Sequence, residues 1–314
     1  MKPLKIIFAG TPEFAVPYLR GLLADADFEV IGVITQPDRP SGRKQELTPP
    51  PVKVLATENN LKIWQPEKLK GNEELLQELK ALEFDYLVVT AYGLIIPAEF
   101  LALAKNGNIN VHPSLLPKYR GASPIQSAIL SGEQETGISI MLMDEKMDHG
   151  PILAQKKVAL TGEETNESLH FQLAEFGVPL LVKTIKGFFA GEIKPQEQDH
   201  GSATFCTTID KEQARIDWIR PAEEIKRKIH AFYSWPIAWT TLDGLRLKIL
   251  PPAEAVDSDD ASEPGKIIIT PDAVTVKCGE GGIKLNQLQL EGKKTISASD
   301  FVRGYKDLAG RVLK

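Results

Sequence analysis

The chain has 314 residues, 42% of them apolar and 25% charged, a composition near the soluble average and a length at which one core usually gives way to two. Only two cysteines occur, Cys206 and Cys278, far apart and without a CxxC, which excludes a disulfide framework and a cysteine-based zinc site and makes a reducing cytoplasm the expected setting. The net charge of −5 excludes a general coat for nucleic acid, because such binding depends on neutralising phosphates with Lys and Arg.

The opening residues, MKPLKIIFAGTPEF, hold no long apolar h-region and no small-residue cleavage site, so no export signal is expected. No window reaches the roughly 18 consecutive apolar residues of a membrane-spanning helix, and a soluble protein is expected. KIIFAG reads instead as a buried strand, with Ile6, Ile7 and Phe8 in succession and a Gly turn behind them. GTPEFAVPYLRGLLAD carries Phe14, Leu19, Leu22 and Leu23 at roughly helical spacing, with Pro17 disturbing its first turn. EVIGVIT (29–35) is the next strand. A helix near 52–59, a short strand at Lys62–Trp64, an amphipathic helix near 72–82 and the strand DYLVVTA (85–91) follow. This alternation predicts a doubly wound α/β sheet with right-handed crossovers.

GNINVHPSLLP (107–117) is a strand running into a Pro-stopped turn, and SPIQSAILSGE (123–133) is a helix with Ser123 as N-cap and Pro124 at its first position. TGISIMLMD (136–144) is a further strand. Residues 169–192 form a long helical pattern broken near Gly177 and Pro179. Residues 191–207 lose periodicity and turn polar, which reads as a linker between a first domain over 1–190 and a second over 208–314. The second shows an amphipathic helix around 221–232 and the short runs RLKIL, GKIIIT, AVTVK and IKLNQLQL between Pro, Gly and Asp turns, the cue for a small β-barrel. Residues 1–207 hold 20 basic and 26 acidic side chains and residues 208–314 hold 17 and 16, so a polyanionic partner has to be met by local patches.

Asn110 and His112 end a predicted strand, and alternation turns both to the same side. The carboxyl ends of strands in open α/β sheets border the ligand crevice, so the pair sits where substrates bind. A donating amide beside an imidazole suits an oxyanion formed in acyl transfer. The plainer reading is an Asn that satisfies turn backbone and an ordinary, partly buried His. Asp148, in MDHG, is placed to hold the imidazole of His112, or else to form an Asx-turn ahead of Gly150. Asp144 and His149 lack a compact ligand spacing, so no metal is expected.

AGTPEFA (9–15), QPDRPSGR (36–43), INVHPSLLPKYRGASPIQSAI (109–129), ETGISIMLMDEKMDHGPIL (135–153) and ARIDW (214–218) resemble, in order and over essentially the whole chain, the methionyl-tRNA formyltransferases. The Asn-x-His-x-Ser-Leu-Leu-Pro string with a later Asp is shared across folate-dependent formyltransferases. The resemblance implies a Rossmann-like, folate-binding catalytic domain followed by an OB-fold-like domain used for tRNA. It implies 10-formyltetrahydrofolate as co-substrate, methionyl initiator tRNA as acceptor, and no required protein partner. By matching position, Asn110, His112 and Asp148 take the catalytic roles, and Ser114, Leu115, Leu116 and Pro117 contact the tetrahydrofolate. Pro113 stands where many members have Gly, and the same string with Pro occurs in related formyltransferases.

The stretch 36–53, QPDRPSGRKQELTPPPVK, is too long and too basic for an ordinary βα connection. Arg39, Arg43, Lys44 and Lys53 face no evident acidic partners within it, and the plainer reading is a solvated loop stiffened by Pro49, Pro50 and Pro51. The resemblance implies that it reaches the acceptor stem of initiator tRNA, with Arg43 as the functional arginine and Arg39 and Lys44 beside it; basic loops of this kind suit phosphates and single-stranded ends. The insertion argues against a sugar-nucleotide formyltransferase and against a hydrolase that gives the formyl group to water. A dinucleotide-binding module is disfavoured because AGTPEF lacks G-x-G-x-x-G. In FYSWPIAW (232–239), core packing of the four aromatics is expected ahead of base stacking.

Overall fold

The computed structural model describes residues 2–41, 45–305 and 307–314. In chain order come β1 (Leu4–Gly10), α1 (Val16–Leu23), β2 (Phe28–Ile34), β3 (Arg39–Ser41), β4 (Glu46–Thr48), α2 (Pro51–Glu58), β5 (Ile63–Trp64) and α3 (Glu73–Leu82). Next are β6 (Tyr86–Thr90), α4 (Ala98–Leu101), β7 (Asn108–His112), β8 (Arg120–Gly121), α5 (Pro124–Leu130), β9 (Glu135–Leu142), β10 (Ile152–Ala159) and α6 (Asn166–Phe189). The chain folds as two compact units, one of residues 1–121, 136–158 and 170–205, the other of residues 122–135, 159–169 and 206–314. Among the described residues no helix is long and apolar enough to cross a membrane.

Seven strands of the first unit form one sheet in the order β10-β9-β7-β6-β1-β2-β5. β1 runs parallel to β2 and β6, β2 to β5, and β6 to β7, whereas β9 lies antiparallel to β7. The order reverses at β1, which makes this a doubly wound, Rossmann-like sheet with its crevice at the carboxyl ends of the parallel strands. The apolar run of β1 explains its central place: Ile6, Ile7, Phe8 and Ala9 are fully buried, and each large side chain so covered stabilises the fold by about 1.5–3 kcal/mol. α3 begins where the Asn72 side chain accepts the Leu75 N–H at 3.1 Å, with Glu73 and Glu74 favourably placed in its first turn.

Two local expectations are corrected. α6 is continuous from Asn166 to Phe189 and carries Pro179 inside it. Gly177 marks a close approach, not a break: a Cβ there would lie 2.1 Å from Tyr18 Oη and 2.8 Å from its ring Cζ. The proline forgoes one helical hydrogen bond, but Leu173, Ala174, Leu181 and Ile185 keep the flanking turns buried. Ser123 does hold the N-cap position of α5, yet its hydroxyl donates to the Thr207 carbonyl at 2.6 Å and makes no cap bond.

In the rest of the chain, β11 (Phe205–Cys206) precedes α7 (Ala222–Ala231), β12 (Trp239–Leu242), β13 (Leu245–Val256), β14 (Ile267–Ile269), β15 (Val274–Lys277), β16 (Gly282–Leu290), β17 (Ile296–Ser297) and α8 (Ala298–Gly304). The second unit's sheet is antiparallel, ordered β12-β13-β16-β15-β14, with β17 on β16. Pairing of β13 with β16 slips between Leu250 and Ala253, where Pro251 and Pro252 cannot donate to the ladder. Such a slip bends a strand, and the sheet curls in the OB-fold-like manner. Ile216, Trp218, Ile225, Ile229, Ile249 and Ile283 belong to its core, and Trp218 Nε1 donates to Thr240 Oγ1 at 3.0 Å. The aromatic cluster divides: Phe232 and Trp239 are buried, Tyr233 is half-buried and Trp235 is exposed.

Gly177→Ala should cost about 1–3 kcal/mol through overpacking, read from urea denaturation. Adding Tyr18→Phe, which removes the oxygen nearest the new methyl, should restore part of that loss. Equal losses in the single and double variants would place the conflict elsewhere.

Candidate active site

Asn110 and His112 lie in the last three residues of β7 and share one face, while Val111 between them is buried on the other. β9 pairs beside them, setting Met141 against Asn110 and Ser139 against His112. The chain then turns back so that Asp148 meets both. Asp148 Oδ1 accepts from Asn110 Nδ2 at 3.3 Å and stands 3.6 Å from His112 Nδ1. Oδ2 accepts the Gly121 backbone N–H at 2.8 Å. Asp148 has φ +49°, the left-handed region, which Asp tolerates better than most residues at a cost of about 1–2 kcal/mol.

The imidazole is fixed from its other side. His112 is 4% exposed, and its Nε2 lies 2.9 Å from the Tyr119 carbonyl oxygen. A carbonyl only accepts, so Nε2 carries a proton and Nδ1 is the nitrogen that faces Asp148. When both ring nitrogens are protonated, the Nδ1–H lies beside the carboxylate, which at 3.6 Å balances its charge without taking up the hydrogen. An amide donor, a ring able to donate and a carboxylate behind both form the kind of preorganised set that stabilises charge developing on a carbonyl oxygen.

Residues 113–118 make a tightly bonded turn. Ser114 Oγ donates to the Lys118 carbonyl at 2.6 Å, and Ser139 Oγ donates to the Ser114 carbonyl at 2.7 Å while accepting the Leu116 N–H at 3.0 Å. Gln155 Nε2 donates to the Leu116 carbonyl at 2.9 Å and to Ser139 Oγ at 2.8 Å. The Leu116–Pro117 peptide is cis. Ser114 and Leu116 are therefore turned inward, their main-chain groups spent on the protein itself. Leu115 and Pro117 remain half-exposed. Leu115 packs against Gly137, where a Cβ would come within 2.6 Å of Leu115 Cδ2 and 2.1 Å of the Lys156 carbonyl.

Within the stretch 36–53, β3 and β4 pair antiparallel as a ribbon with Arg39 opposite Thr48, and Lys53 lies in the first turn of α2. Lys53, expected to lack an acidic partner within the stretch, has one: its Nζ lies 2.8 Å from both oxygens of Asp38. The two residues are 15 apart in sequence, Asp38 just before β3 and Lys53 in α2. Gln65 Nε2 also donates to Asp38 Oδ1 at 2.8 Å, and it and Lys53 hold this carboxyl below the usual range. Arg39 reaches out of the stretch to Glu67 at 2.8 Å. Arg43 and Lys44 lie outside the described residues.

Sequence reasoning passed over Tyr119 and Gly121, which act through backbone groups. It also passed over Gln198, a buried side chain in the aperiodic segment 191–207 whose amide donates to the carbonyls of Asp148 and Gly150. The mutual pairing of Gln196 with Ile152, at 2.7 and 2.8 Å, brings that segment to the sheet edge. Asp144 and His149 do meet, at 2.7 Å.

Ser139→Ala would strip both the acceptor from the Leu116 N–H and the donor from the Ser114 carbonyl. It should cost about 1–3 kcal/mol in chemical denaturation. Faster hydrogen exchange at the Leu116 amide should accompany the loss; an unchanged exchange rate would show that the turn does not depend on this hydroxyl.

Residues 4–185 match the family described as Formyl transferase, and residues 208–306 match Formyl transferase, C-terminal domain. The chain is 45% identical over 307 residues to the methionyl-tRNA formyltransferase of Pseudomonas fluorescens (strain SBW25), covering 98% of this chain and 95% of that one. It is 42% identical over 310 residues to the methionyl-tRNA formyltransferase of Methylococcus capsulatus, covering 99% of each. Among solved structures, WlaRD, a sugar 3N-formyl transferase in the presence of dTDP and 5-N-formyl-THF, aligns with a TM-score of 0.65 at 21% identity, over 93% of this chain and 99% of that one. HypX from Aquifex aeolicus in complex with tetrahydrofolic acid aligns with a TM-score of 0.62 at 16% identity, over 96% of this chain and 47% of that one. These last two likenesses concern the fold. With both of its halves matched and near-full-length relatives above 40% identity, the chain belongs to the formyl transferase family, among the methionyl-tRNA formyltransferases.

Proposed function

We propose that this chain transfers the formyl group of 10-formyltetrahydrofolate to the α-amino group of methionyl initiator tRNA, for translation initiation in the cytoplasm. The observation that carries the reading is the convergence of Asn110 and His112 on one carboxylate oxygen of Asp148, in a chain so similar along its whole length to methionyl-tRNA formyltransferases.

The neutral methionyl amine adds to the formyl carbon, and negative charge gathers on the former carbonyl oxygen. Asn110 Nδ2 keeps one N–H beyond the bond to Asp148, and protonated His112 presents Nδ1–H; these two meet the oxyanion. Asp148 orients the amide and balances the imidazolium. The amine gives up one proton and the departing nitrogen receives one, so the enzyme ends unchanged. Asp148, 14% exposed, relays that proton through water.

Half-exposed Leu115 and Pro117, together with Ile95, exposed in the loop after β6, offer apolar surface to a planar ring near the carboxyl ends of the strands, with Ser114 and Leu116 shaping the turn from within. In this reading Arg39, Arg43 and Lys44 of the stretch 36–53 meet tRNA phosphates, and the curled sheet of the second unit adds to the grip.

Labelled formyl-folate incubated with charged initiator tRNA, beside sugar-amine and water controls, tests the assignment; faster transfer to a sugar amine than to the tRNA would sink it. His112→Ala and Asp148→Asn should each lower kcat by about 10²–10³, with melting temperatures near that of the parent. Arg43→Ala should weaken tRNA binding, reduce the slope of log affinity against log salt by about one, and leave folate affinity unchanged. Unchanged tRNA affinity and kinetics would remove the stretch 36–53 from the recognition surface.

A further inference from the structure

We infer that Gln198, backed by Arg120, is a positioning residue for formyl transfer, holding the main chain at Asp148 so that its carboxylate stays between Asn110 and His112. The inference rests on the roles proposed above for those three side chains.

Gln198 and Arg120 are 5% and 3% exposed, so neither offers itself to substrate. Gln198 Nε2 donates to the Asp148 carbonyl at 3.0 Å and to the Gly150 carbonyl at 2.7 Å. Its Oε1 accepts from Arg120 Nε at 3.2 Å and from an Arg120 terminal nitrogen at 2.7 Å. Chemistry forces this orientation of the amide, because a guanidinium only donates and a carbonyl only accepts. The same terminal nitrogen lies 2.9 Å from His200 Nδ1, and the His200 ring stacks on His149 with centroids 4.0 Å apart and planes 6° apart.

Asp148 is thus tied twice to one peptide step. Its carbonyl is tied through Gln198 to the Arg120 side chain, and its carboxylate is tied directly to the Gly121 N–H at 2.8 Å. Asp148 also sits at φ +49°, a conformation that is costly even for Asp and whose cost these ties offset. Apolar packing of equal volume would serve stability as well as a buried guanidinium does, since desolvating that charge is costly. Apolar packing cannot grip the carbonyls on either side of residue 149.

Gln198→Glu discriminates, because it keeps the volume and still accepts from Arg120 but cannot donate to the two carbonyls. It should lower kcat by roughly 10- to 100-fold and change the KM for formyl-folate and for charged tRNA by less than about 3-fold. The amide proton of Gly121, followed by 15N-resolved NMR, should move upfield as its bond to Asp148 Oδ2 lengthens. Arg120→Lys, which keeps the charge but not the fork on Oε1, should show the same pattern in smaller measure and decides the matter if the Glu variant does not fold. An unmoved Gly121 resonance, or a shifted one with full kcat, overturns the inference. Asp148→Asn in the same assay separates the two levels. Full turnover in that control defeats the assignment of Asp148 itself, whereas a dead control beside a fully active Gln198→Glu defeats only the role of Gln198.

Discussion

The carboxylate of Asp148 has two oxygens with different duties, and the geometry of the site follows from that division. Oδ2 is occupied by the Gly121 N–H, which stops the group from turning about its own bond. Oδ1 is then left at 3.3 Å from the Asn110 amide and 3.6 Å from the His112 ring. Were Oδ2 free, the position of Oδ1 would be an average over rotations, and a donor pair aligned on it would lose the preorganisation that makes such groups effective. The His112 ring is restrained in the same economical way, by the carbonyl of Tyr119. Residues 112–121 therefore supply both the imidazole and two restraints, which explains why the Ser-Leu-Leu-Pro turn between them is so heavily bonded to Ser139 and Gln155.

The sheet makes this possible by changing direction between β7 and β9. A parallel neighbour to β7 would have required a long crossover before the chain returned. β9 instead runs antiparallel, and the segment from Met143 to Pro151 folds back with the Met143 N–H on the Asn108 carbonyl and the Leu142 N–H on the Pro151 carbonyl. A short return delivers Asp148 to the face that carries Asn110 and His112. Gly150 belongs to the same device, since a Cβ there would lie 2.1 Å from the Leu142 carbonyl.

The doubly wound sheet and the curled barrel were legible because they rest on patterns local in sequence: buried runs such as Ile6–Phe8, alternation in the later strands, and Gly and Pro at the turns. The strand alternation that places Asn110 and His112 together is of the same kind. What stayed hidden depends on partners remote in the chain. Gly177 looked like a helix breaker because Tyr18, which needs the space, lies 159 positions earlier. Gln198 looked like linker because its polarity is spent on carbonyls 50 and 48 residues upstream. Tyr119 and Gly121 contribute a carbonyl and an N–H, which every residue possesses and no side-chain pattern advertises.

The two described basic side chains of the stretch 36–53, Arg39 and Lys53, are held in different ways. Of the two, Lys53, in the first turn of α2, is the more enclosed and is held on both oxygens of Asp38, which Gln65 also binds. Arg39 is paired differently. Its contact with Glu67 joins side chains 60% and 68% exposed, and exposed pairs contribute only about 0–1 kcal/mol. A phosphate can therefore recruit Arg39 at small cost, exchanging a screened carboxylate for a stronger anion that accepts its planar fork in two places. Under the tRNA reading, a partner that releases Arg39 without disturbing Lys53 gains a cation while the platform carrying it keeps its form.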